Sequence, residues 1–118
     1  MAENMFELVG RVGWVDCSAT EKGTFIVKIN LGVKKNKEEW NNFFITFLDS
    51  IDSKYKTAEN FAEKIKVNDY VRIKGILNID KFTPKNSVDN KPVEKISLIG
   101  RTFNAVKWDE FEKRFIDV

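Results

Sequence analysis

A chain of 118 residues with 42% hydrophobic and 32% charged side chains has enough core for one domain and is too apolar for a disordered segment. With no histidine and one cysteine it lacks the commonest general acid–base group, an internal disulfide and the usual zinc ligand sets. The net charge of +2 is too mild to specify an anionic partner alone, and acids crowd the C-terminus at Asp109, Glu110, Glu112 and Asp117.

Strand spacing begins at Phe6, where Phe6, Leu8, Gly10 and Val12 alternate with Glu7, Val9, Arg11 and Gly13. Gly10 and Gly13 within that run predict a bent strand, as a small barrel requires. A polar stretch from Asp16 to Gly23 predicts a loop. The second strand puts Phe25, Val27, Ile29, Leu31 and Val33 on one face and Thr24, Ile26, Lys28 and Asn30 on the other. Lys34 to Glu39 is highly charged and reads as an exposed connection. A third strand, about Asn42 to Leu48, sets Phe43, Ile45 and Phe47 opposite Phe44, Thr46 and Leu48, so it is either central or shows an aromatic on one side.

Asp49 and Asp52 read as two solvated loop acids, since nothing nearby completes a catalytic constellation. A helix follows. Thr57 is its expected N-cap, Glu59 suits the positive end of the dipole, and Ala58, Phe61, Ala62 and Ile65 form the apolar stripe. Tyr70 to Ile79 is a fourth strand with Val71, Ile73, Gly75, Leu77 and Ile79 inward. Asp80 to Lys91 is a polar loop, and Pro92 to Phe103 a fifth strand. Trp108, Phe111 and Phe115, three and four residues apart, predict a short C-terminal helix that closes the barrel or meets a protein partner or subunit.

Five strands with a helix between the third and fourth predict an all-β OB-fold, a partly open barrel that uses one face and its loops to bind oligonucleotides. One domain is expected over 1–118, with a core of about 5–103 and an extension of 104–118.

With the elements placed, Leu8-Val9-Gly10-Arg11-Val12, Phe25 to Val33, Glu39-Trp40 with Phe43 to Phe47, Thr57 to Ile65, and Tyr70 to Leu77 together resemble the bacterial and phage single-stranded DNA-binding protein family. The resemblance implies sequence-independent single-stranded DNA binding in replication, recombination or repair. It also implies self-association as a dimer or tetramer, while the missing histidine, the lone cysteine and the lack of a catalytic constellation predict no enzymatic activity, no cofactor and no metal. By position it makes Phe47 a base-stacking platform at the end of the third strand, and Phe82, after Lys81, another. Trp40 matches or adjoins the family's tryptophan.

On this reading Trp14 is a further candidate platform, and Lys28, Lys34, Lys35, Lys37, Arg72, Lys74 and Lys81 supply charge along the phosphates. Phe47 also alternates with Ile45 and Phe43 as a core residue would, and Trp40 also suits a subunit contact. The segment Leu48 to Lys56 is longer and more acidic than in the family. The likeness is to a short form without the acidic tail. A single-stranded RNA binder and a protein-binding OB module fit the same elements. Met1 to Asn4 has no signal-peptide character and the apolar run Phe43 to Leu48 is far below a membrane span, so the expectation is cytoplasmic, with no membrane.

Overall fold

The computed structural model describes residues 4–83 and 92–118, and for Phe82 the backbone alone. The elements in chain order are β1 (Phe6–Ala19), β2 (Phe25–Lys34), β3 (Trp40–Asp49), α1 (Thr57–Lys64), β4 (Tyr70–Phe82), β5 (Val93–Asp109) and β6 (Arg114–Asp117). Strand order is β3-β2-β1-β4-β5-β6, and β3 also pairs with β5 to close a five-stranded barrel. The closing contact is parallel and joins Ile45 to Leu98 and Thr46 to Ile99; the other pairings are antiparallel. With its helix between β3 and β4, this is the OB-fold.

Strand alternation explains the interior. Val27, Ile29 and Leu31 of β2, Ile45 and Phe47 of β3, and Val71 and Ile73 of β4 are all fully buried. Helix α1 lays Ala58 and Phe61 against this core, and Ile65, just past its C-terminal end, joins them. The Phe61 ring stacks on Phe47 at 4.8 Å and meets the edge of Phe103 at 5.0 Å. Room for Phe47 comes from Gly100, where a Cβ would approach that ring to 2.4 Å.

Two bulges redirect side chains. Val12 pairs with Leu31 and Trp14 with Asn30, leaving Gly13 as an extra residue in β1. Val12 and Trp14 would otherwise share a face. Because of the bulge, Val12 is buried while Trp14 is 42% exposed on the outside. A second shift lies where Lys74 pairs with Thr102 and Gly75 with Gly100. Beyond it and the β3 contact, β4 and β5 run on together as a two-stranded arm from Asn78 opposite Ser97 to Phe82 opposite Val93. The molecule measures 55 × 36 × 34 Å.

Several expected boundaries move. The expected loop from Asp16 is strand as far as Ala19, because β1 stays paired with β2 out to Phe25. Part of the expected Asp80–Lys91 loop is the arm; 84–91 lies outside the described residues.

The expected C-terminal helix is instead a β-hairpin. Strand β5 continues to Asp109, where the Asp109 carboxylate accepts N–H groups from Phe111 at 2.8 Å and Glu112 at 3.3 Å. Lys113 then takes a positive φ of 54°, and β6 returns with Trp108 opposite Phe115. The three aromatics thus form no stripe. Trp108 packs edge-on to Phe115 at 5.2 Å, whereas Phe111 sits fully exposed in the turn.

Asp49 and the helix start also depart from expectation. Thr57 is the first helical residue, and Lys56, the N-cap, makes no side-chain cap bond. Asp49, far from being solvated, is buried at the end of β3, and its carboxylate accepts the N–H groups of Ala58 at 2.9 Å and Glu59 at 3.0 Å. It caps α1 from a different element and fixes the helix against the barrel end. Asp49→Ala should therefore lower unfolding stability by about 1–3 kcal/mol, read as a shift in urea midpoint, with Asp49→Asn less costly.

Candidate nucleic-acid interface

Residues pointing out from β1, β2 and β3 make one continuous face. Across it the register aligns Trp14, Asn30 and Phe44 in one row, with Asp16, Lys28 and Thr46 in the next. Trp14 and Phe44 approach each other at 6.0 Å between ring centres with a 40° tilt, and Phe44 is 63% exposed. Two large rings left in water on one face serve no core purpose there. Further along, the Arg11 guanidinium lies 5.2 Å from the Trp40 ring centre. The indole rests over Gly32, where a Cβ would come within 3.3 Å of it.

The arm forms the opposite wall. Between it and the three-stranded face lies an open groove of about 850 Å3, lined by Trp14, Lys28, Phe44 and Leu48 on one side and by Leu77 and Lys95 on the other. Asp80 also reaches it, but that carboxylate is engaged by the Asn78 amide at 2.9 Å and the Ser97 hydroxyl at 2.6 Å. Lys28 and Lys95 have no ion-pair partner among the described residues. Stacking surfaces and free ammonium groups therefore converge in one trough.

The candidates read from the sequence divide accordingly. Trp14 and Lys28 line the groove, and Trp40 shares the outer face of β3 with Phe44. Phe47 does not belong: its ring is fully buried and serves the core, because it has the parity of Ile45 and Asp49. The Phe82 side chain lies outside the described residues.

Lys34, Lys35 and Lys37 stand in or beside the β2–β3 turn, where Lys35 pairs with Glu39 at 3.5 Å. Lys81, on the arm, pairs with Glu94 at 3.8 Å. Arg72 and Lys74 line neither this groove nor the second hollow described below. Arg72 is bound to the Asp117 carboxylate, and Lys74 to Glu7 at 3.4 Å. Phe44, Arg11 and Lys95 are additions. For Phe44 the signal was present, since it shares its parity with polar Asn42 and Thr46, which marks that face as the outer one.

A second hollow, of about 660 Å3, lies under the β5–β6 hairpin. Trp40, Tyr70, Trp108 and Phe115 line it together with Lys34 and Lys107.

No protein-family model matches this sequence, and no curated protein matches it. Among solved structures, the chain is similar to a Plasmodium falciparum SSB in complex with single-stranded DNA. That match has a TM-score of 0.70 and covers 91% of this chain and 97% of the other at 16% sequence identity. At that identity the likeness is one of fold.

Proposed function

We propose that this protein binds single-stranded DNA without sequence preference and performs no chemistry on it. The observation that carries the reading is the exposed Trp14–Phe44 pair, 6.0 Å apart, beside Lys28, which has no ion-pair partner among the described residues, in the open groove of an OB barrel. Every base has a π-face and can stack there, whereas a duplex hides those faces. Lys28, Lys95 and Arg11 draw the phosphates and displace counterions, so affinity falls with salt. The solved neighbour holds single-stranded DNA on the same fold, which supports the assignment. The proposal extends to a role in replication, recombination or repair in the cytoplasm and to assembly as a dimer or tetramer.

The test is fluorescence anisotropy of a labelled oligo-dT of about 30 nucleotides, long enough for one or more OB sites. Unlabelled RNA and duplex DNA serve as competitors, at low and moderate salt. Salt-sensitive binding displaced by single-stranded DNA alone is expected. Displacement by RNA with equal ease would reassign the ligand, and no binding at low salt would overturn the reading.

A further inference from the structure

We propose that the hollow beneath the β5–β6 hairpin is a second base-binding subsite, taking about one or two nucleotides of the strand that leaves the Trp14–Phe44 platform by way of Trp40. This rests on the reading above and extends its site. Three observations carry it. The first is the wall itself. Phe115 stacks on Tyr70 at 5.4 Å, and Trp108 stands edge-on against Phe115 at 5.2 Å, so neighbouring rings brace Trp108 while it remains 48% exposed. A braced, half-exposed indole is an ordered stacking surface that costs little further ordering on binding.

The second observation is charge. Lys34 and Lys107 are among the lining residues, no carboxylate is, and neither lysine is ion-paired among the described residues. Aromatic rings flanked by free ammonium groups match a base with its phosphate. A second copy of this chain is the poorer occupant, because a twofold contact centred here would set the lysines of both copies against each other.

The third is continuity. Trp40 belongs to the outer face of β3, four residues along the strand from Phe44, which is about 13 Å. It also lines the hollow. A strand running along the outer face of β3 past Asn42 to Trp40 passes from one site to the other. The volume of about 660 Å3 falls in the range of sites that enclose small organic groups.

The two sites are separated by oligonucleotide length. Oligo-dT of about 8 nucleotides should fill the groove alone, and about 20 should reach both sites. Trp108→Ala is expected to leave the short oligomer's affinity unchanged and to weaken the long one about 5- to 100-fold, with Trp108→Phe restoring most of the loss. Lys107→Gln, a change at an exposed position that leaves the hairpin intact, should reduce the salt slope for the long oligomer by about 0.7.

If the unaltered protein binds neither length, the groove reading has failed and the subsite falls with it. If it binds both lengths and neither variant changes the long one, the subsite alone is overturned. Equal weakening of both lengths by Trp108→Ala and Lys107→Gln would also overturn it. So would a fall in molar mass by light scattering with long-oligomer binding intact, which would make the hollow a contact between copies.

Discussion

Replacing Phe47 with alanine is expected to remove about 3–5 kcal/mol of unfolding stability, the range for deleting a buried phenyl group. The ring is fully buried, stacked on Phe61 at 4.8 Å and edge-on to Phe103 at 6.2 Å, so its loss opens a void that three elements share. Because whole domains are stable by only about 5–15 kcal/mol, the variant should melt far below the unaltered protein or fail to fold. Thermal melting and urea titration measure it directly. The opposite pattern, an unchanged melting point with lost DNA affinity, would put Phe47 on the surface and dismantle the assignment of faces on β3.

Phe44→Ala should do the reverse. Its side chain stands in the groove and carries little of the core, so stability should change by no more than about 0.5 kcal/mol. Oligo-dT affinity should fall about 5- to 100-fold, as expected for one lost stacking surface. Trp14→Ala should cost a similar factor. Since the two rings touch across the sheet, the double variant should depart from the product of the single losses. Full retention of affinity in the double variant would remove this face from the binding site.

These two phenylalanines show how far the sequence could be read. The alternation from Phe43 to Leu48 established a strand and divided it into two faces, but did not decide which face met water, although the polar company of Phe44, Asn42 and Thr46, carried that signal. The resemblance pointed instead to Phe47, because matching by motif counts positions along a strand and does not count bulges or parity. The barrel and its helix were legible because period-2 runs and the Ala58, Phe61, Ile65 stripe are local signals. Trp14 was visible as a candidate, but not its partner, since contact with Phe44 depends on a bulge at Gly13 and on pairing through β2.

The C-terminal hairpin was hidden for a different reason. Trp108, Phe111 and Phe115 fit helical spacing, yet Val106 and Trp108 also continue the alternation of a strand already held by β4. Pairing decided the matter against local periodicity. Asp109 was the readable clue, a residue suited to opening a turn. The capping role of Asp49 could not be read at all, because its partners lie nine and ten residues away across a loop.

The barrel is closed by a short parallel contact, Ile45 with Leu98 and Thr46 with Ile99. It is the slightest of the ladders around the barrel, and the easiest to part in a local fluctuation. The groove has β3 on one side of that seam and the arm on the other. On the proposed reading, a DNA strand held by both walls would act as a brace, since binding that needs both walls in place makes opening of the seam rarer. Ring closure of the barrel and occupancy of the groove would then be linked as a single equilibrium, with the ligand completing the mechanical circuit that the short β3–β5 contact leaves weakest.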